Sequence, residues 1–196
     1  MIYIVSGYRR SGTSMMMQAI MKGLTRGMVL YRPDLEKLNA PEGDYQPNIG
    51  ALLEVGRAWY MLPEFLRRIP DQSVIKIFFD GLPNLPAGDY RVIFMDRCET
   101  EIRASCERVD KHLRVQGVPE NEDTSYCFDV FRPYKREDIE HVLGICRQRK
   151  DIDLRVVDFR EVVKEPERVL ASLDLPINVK RAASVVDPEH YRFRDD

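Results

Sequence analysis

Nowhere in its 196 residues does the sequence approach the roughly 18 to 20 consecutive apolar side chains that a bilayer-spanning helix needs. Met1 leads straight into a short apolar run without the basic opening of a secretory signal. No membrane is expected, and the chain is expected to stay where it is made. Cysteine is scarce, and Cys98, Cys106, Cys127 and Cys146 show no CxxC spacing. That argues against a metal site or a disulfide framework and for a reducing, cytoplasmic setting. The histidines, His112, His141 and His190, stand without partners at ligand spacing. No charge sign dominates, since 30 basic residues face 32 acidic ones for a net charge of −2. A surface built for nucleic acid or anionic lipid is therefore not indicated. One absence is local: residues 1 to 33 hold no Asp or Glu, yet they carry Arg9, Arg10, Lys22, Arg26 and Arg32.

What is present is a chain that is 44% hydrophobic and 32% charged, with room for one domain over residues 1 to 196. Short apolar runs at Ile2 to Val5, Met28 to Tyr31, Val74 to Phe79, Arg91 to Met95 and Leu154 to Val157 read as buried strands. Helical stripes lie between them: Leu52, Leu53, Gly56, Trp59 and Tyr60; Ile102, Cys106, Val109 and Leu113; Ile139, Val142, Leu143 and Cys146. Pro166 suits the first turn of a further helix from about Glu165 to Leu173. Strands apolar on both faces that alternate with helices predict an α/β, three-layer fold, with about five mainly parallel strands covered on both faces. The stretch 115–133 has no clear period and reads as a lid or loop.

The most informative string is VSGYRRSGTSMMMQAI, residues 5 to 20. A strand there enters a Gly-bounded turn that ends at a helix N-terminus, where backbone N–H groups and the helix dipole together favour an anion. The plain alternative is a tight turn capped by Ser11 or Thr13 with solvated arginines. Gly7 and Gly12 keep the glycine spacing of a nucleotide-hydrolysing loop, but Thr13 stands where that loop has its phosphate-gripping Lys. A small-molecule kinase using ATP, with Mg²⁺ on Asp96 or Thr13, is thus the second reading.

The string R-R-S-G-T-S after a first strand resembles the 5′-phosphosulfate loop of sulfotransferases that use 3′-phosphoadenylyl sulfate (PAPS), usually [KR]-S-G-T-[TS], with Arg10 at the basic position. RVIFMDRCETEIRASCER is similar to that family's 3′-phosphate block, an Arg after an apolar strand (Arg97) and a Ser eight residues on (Ser105). VVDFREVVKEPERVLASLDLP resembles the late strand, acidic-Pro helix start and closing Leu-Pro. NAPEGDYQ, Asn39 to Gln46, is similar to the N-P-x-G-[FY]-x-E stretch of bacterial members, with Gln46 in place of Glu. The K-x-H of cytosolic members reads here Lys76-Ile77-Phe78, so their His general base is missing.

The resemblance implies a P-loop fold and a sulfotransferase that moves a sulfuryl group from PAPS to a hydroxyl or amine acceptor, releasing PAP and needing no metal. Arg9, Arg10, Ser11, Gly12, Thr13 and Ser14 would take the 5′ end, and Arg97 with Ser105 the 3′ phosphate. An ordinary role for Arg97 is a helix start with a surface ion pair to Glu101. Arg10 would stabilise the leaving oxygen, and Lys76 would either touch the sulfuryl oxygens or snorkel from a strand edge. Asp80 is the first candidate for the acceptor-side base, with Asp34 and Glu36 as others near the ends of strands. Tyr8, Trp59, Tyr60 and Met15 to Met17 line an acceptor pocket or belong to the core. The acceptor stays open among a carbohydrate, a small alcohol or phenol, and a peptide Tyr. A non-catalytic PAP-binding relative is the remaining alternative.

Overall fold

The computed structural model describes residues 1–25, 27, 29–30, 62–115 and 135–187. Five strands form one parallel sheet: β1 (Ile2–Gly7), β2 (Val29–Leu30), β3 (Ser73–Lys76), β4 (Tyr90–Asp96) and β5 (Ile152–Asp158), in the order β2-β3-β1-β4-β5. Seven α-helices accompany them among the described residues: α1 (Thr13–Gly23), α2 (Leu62–Arg68), α3 (Glu99–Val115), α4 (Arg136–Gln148), α5 (Phe159–Lys164), α6 (Pro166–Ser172) and α7 (Val179–Ala183).

Side chains alternate across the sheet with the period of two that a strand imposes. Tyr3, Val5, Val74, Ile93 and Met95 join one core with α1, α5, α6 and α7, where Met16, Ile20, Val162 and Leu170 are fully buried. Ile4, Ile75, Val92 and Phe94 join the other, under Leu66 of α2, Ile102 and Cys106 of α3 and Ile139 and Leu143 of α4. Helices on both faces leave no solvated sheet surface in the middle strands, which explains why β1 and β4 read as unbroken apolar runs. The expected three-layer α/β architecture is what the chain adopts.

Two differences are informative. The apolar run 74–79 does not stay a strand, because β3 ends at Lys76 and Phe79–Asn84 turns into a 3₁₀ helix. Phe79 and Leu82 remain buried there, so burial kept the side chains apolar without requiring a ladder. The last α/β unit is followed by three short helices rather than one, with Asp158 capping α5 by accepting from the N–H groups of Arg160 and Glu161. The stripe Leu52 to Tyr60, the stretch 116–133 and the Asn39 to Gln46 block lie outside the described residues, as do Asp34, Glu36 and Cys127.

Long-range charge contacts tie the layers. Arg91 on β4 donates through Nε to Asp153 on β5 at 2.8 Å and through Nη1 to the carbonyls of Leu173, at 3.3 Å, and Asp174. Arg149 donates to the carbonyls of Leu85 (2.6 Å) and Pro86 (2.7 Å) and to both oxygens of Asp151 (3.0 and 2.6 Å). The hydrogen bond from Arg149, then that from the Gly88 N–H, holds the Asp151 carboxyl well below the usual carboxylate range.

Candidate functional site

The registers place the site. Gly7 pairs with Met95, Val5 with Lys76 and Asp96 with Asp158, so the chain leaves β1, β3, β4 and β5 along one carboxyl edge. Successive strands run from β1 out to β2 and back through β3, then cross to β4 and β5 on the other side. The strand order reverses at β1, where an open parallel sheet forms its binding crevice.

The turn from β1 into α1 needs two glycines. Gly7 has φ +152, and a Cβ there would press on Ser11 Oγ and lie 2.7 Å from the Met95 carbonyl oxygen. Gly12 is left-handed (φ +97), and a Cβ would drive into the Phe159 ring, 2.6 Å from Cε2 and closer still to Cδ2. Between them Arg10 takes a left-handed φ of +63, a strained position for a side chain with a Cβ. Hydrogen bonds hold it. Arg97 Nη1 donates to the Arg10 carbonyl at 2.9 Å, and Arg10 Nε donates to Ser105 Oγ at 3.0 Å.

This turn delivers α1 with no side chain capping its N-terminus and no acidic residue in its first turn. Its first N–H groups have no carbonyl of their own helix to bond, so they point out of the helix end as donors. Beside them Ser11 is 1% exposed, and its hydroxyl has no hydrogen-bond partner among the described residues. A buried unsatisfied hydroxyl costs roughly 1–3 kcal/mol, which an incoming anion would offset. Neither Ser11 nor Thr13 acts as the cap that a plain structural turn would have used.

Arg97 leaves the end of β4 and is buried. It donates through Nε to Glu101 at 2.8 Å and lies 4.2 Å from the centre of the Phe159 ring. The pair to Glu101 was expected on the surface, but Glu101 is 1% exposed and also accepts from Arg160 Nε at 2.5 Å. Ser105, eight residues after Arg97, is bonded by Arg10, and its hydroxyl proton remains available for donation. Arg97 and Arg160 continue into a cleft of about 330 Å³ with Asp96, Cys98, Glu99, Arg136 and Asp158. Asp96 is gripped at both oxygens by Arg136, at 2.6 and 3.0 Å. The carboxylate that an ATP-dependent reading would give to Mg²⁺ is thus engaged by a guanidinium.

On the other side of β1, Lys76 is 2% exposed rather than snorkelling, with Nζ 5.9 Å from the Phe78 ring centre. Arg9 approaches the same ring, its guanidinium carbon 5.3 Å away. The Arg9 guanidinium and the Lys76 ammonium therefore converge on Phe78, the residue at the K-x-H histidine position. Asp80 lies in the first turn of the 3₁₀ helix with Oδ1 buried. Tyr8 packs on Phe79 at 5.6 Å between ring centres, and Met16 and Met17 are core residues. Trp59 and Tyr60 lie outside the described residues.

Glu101, Phe159 and Arg160 were not singled out as functional from sequence. The i,i+4 spacing of Arg97 and Glu101 hinted at their pairing, whereas Arg160 is 59 residues away from Glu101 and only the fold brings them together.

No family model matches the chain, and no curated protein matches it in sequence. Among solved structures it is similar to the mouse sulfotransferase SULT7A1 complexed with PAP, at 14% identity over 98% of this chain and 67% of that one, with a TM-score of 0.54. A retinol dehydratase in complex with androsterone and the inactive cofactor PAP matches at 15% identity over 96% of this chain and 63% of that one, with a TM-score of 0.47. The chain thus spans about two thirds of the length of each. The chain has a sulfotransferase-like fold.

Proposed function

We propose that this chain is a PAPS-dependent sulfotransferase that moves a sulfuryl group to a hydroxyl or amine of a small-molecule, carbohydrate or peptide acceptor. The observation that carries this reading is the α1 N-terminus, which has no side-chain cap and no acidic residue in its first turn but has beside it the buried Ser11 hydroxyl, unpartnered among the described residues. These are the donors a 5′ phosphosulfate requires, and a second basic centre at Arg97 and Ser105 suits a 3′ phosphate. When bound, PAPS supplies the activated sulfuryl group.

The chain's own residues then have separable roles. Backbone N–H groups of Gly12, Thr13 and Ser14, with the Ser11 hydroxyl and Arg9, hold the 5′ end. Arg10 carries a fixed charge beside the leaving oxygen, already oriented by its bonds to Arg97 and Ser105, so little reorganisation accompanies the reaction. Arg97 and the Ser105 hydroxyl take the 3′ phosphate. Lys76, buried next to β1, counters charge on the sulfuryl oxygens. Asp80 accepts the acceptor's proton, as the His of K-x-H is replaced by Phe78. Residues 1–196 act as a single domain, and no metal takes part.

Thermal denaturation with added nucleotides tests the reading. PAP at ~100 times its dissociation constant should add ~2.7 kcal/mol of stability, more than ADP or ATP–Mg²⁺. A larger shift with ATP–Mg²⁺ that EDTA abolishes would establish the kinase instead.

A further inference from the structure

Among the described residues, the carboxylate that is fully buried is Glu101, and it lies beside a loop read here as an anion site. A negative charge in that position opposes anion binding unless something compensates it. The compensation is visible: Glu101 Oε2 accepts from Arg97 Nε at 2.8 Å and Oε1 from Arg160 Nε at 2.5 Å, so the trio carries a net positive charge. A buried ion pair is weak support for stability, because desolvation consumes most of its attraction. Its value here is directional. With Nε fixed on Glu101 and the guanidinium face on Phe159, Arg97 has Nη1 aimed at the Arg10 carbonyl. That bond anchors Arg10 in its left-handed conformation, from which its Nε reaches Ser105.

We propose that Glu101 is a positioning residue of the donor site, acting through Arg97 to fix the Arg10 backbone and with it the geometry of the anion loop. This rests on the loop being the PAPS site. Gln is the informative replacement, because it keeps the shape but offers one acceptor oxygen and turns an amide donor toward one of the two guanidinium groups. In Glu101→Gln one of the two bonds is therefore lost and a donor faces a donor.

Two readouts are needed, one with ligand and one without. In calorimetric titration with PAP, well below the melting temperature, Glu101→Gln should weaken binding at least tenfold. In an Arg97→Ala background the same change should alter affinity less than twofold, since its effect passes through Arg97. Without ligand, hydrogen exchange at the Ser11 amide, which donates to the Tyr8 carbonyl at 3.2 Å, should quicken at least tenfold in Glu101→Gln while the amides of β4 stay as in wild type. If Glu101→Gln does not fold, Glu101→Asp keeps the charge one methylene short and should show the same losses in smaller degree. Unchanged PAP affinity and unchanged loop exchange in a variant that is only less heat-stable would overturn the proposal and leave Glu101 a packing residue. A wild type that binds no PAP would remove the donor-site reading, and the loop exchange would still decide whether Glu101 positions Arg10.

Discussion

Replacing Gly12 with Ala should be one of the most costly single-methyl additions in this chain. The new Cβ has to adopt φ +97, which costs about 1–2 kcal/mol for an L residue, and it meets the Phe159 ring at 2.6 Å or less. The ring cannot retreat freely, because the Arg97 guanidinium lies against it at 4.2 Å and Phe159 belongs to the core. Overpacking of this kind costs about 1–3 kcal/mol, so the total should be about 2–5 kcal/mol. Urea denaturation, with the slope checked for constancy, measures it. Gly144→Ala is the internal control: that glycine sits in α4 with nothing within 4 Å of a new Cβ, so the change should stabilise by roughly 0.5–1 kcal/mol. Phe159→Ala should relieve part of the Gly12→Ala cost, making the double variant less destabilised than the sum. A Gly12→Ala chain within 0.5 kcal/mol of wild type, or strict additivity with Phe159→Ala, would refute the reasoning about this turn.

Arg149→Ala removes four hydrogen bonds, two of them to the carbonyls of Leu85 and Pro86; the side chain is about a fifth exposed, so a loss of about 1.5–3 kcal/mol in urea denaturation is expected. Asp151 is held below its unfolded value of about 3.9, so its contribution is complete above that value and declines as pH falls toward the folded-state value. The urea midpoint of wild type should therefore drop below about pH 4 more steeply than that of Asp151→Asn, and parallel curves would count against the pairing. Arg10→Ala should lower sulfuryl transfer by about 10² to 10³ fold while PAP still binds within about tenfold of wild type; undiminished turnover would remove Arg10 from the reaction.

Much of the sheet is legible because every strand from β1 to β5 carries a short apolar run, and a doubly covered parallel sheet is the arrangement that buries both faces of such runs. The turn from β1 into α1 is legible for a different reason: its glycines are dictated by backbone geometry, and its charge is visible as a stretch without acids. Burial of charge is where local pattern stops informing. Glu101 sits among Glu99, Thr100 and Arg103, a polar stretch that reads as a solvated helix face, whereas in the fold it is buried between Arg97 and Arg160, the latter 59 residues away. Phe79 misled as a strand end because apolar side chains are needed wherever the core is, in a 3₁₀ turn as much as in a ladder. Of the two options for Lys76, snorkelling from a strand edge fails, since it pairs with Val5 of β1 and is buried. Ser105 is singled out by the resemblance of its block to the sulfotransferase 3′-phosphate motif, but the bond it makes is to Arg10, a contact across 95 positions that no local motif encodes.

The two-centre donor site is tested most directly by comparing PAP with AMP, which lacks the 3′ phosphate, in calorimetric titrations of wild type and Arg97→Ala. A charge-assisted bond contributes ~1.5–3 kcal/mol, so wild type should hold PAP about 10 to 100 fold more tightly than AMP. In Arg97→Ala both ligands lose affinity as the loop loosens, but the ratio between them should fall toward one. A wild type that prefers AMP or binds the two equally, or a PAP preference that survives Arg97→Ala intact, would contradict the account.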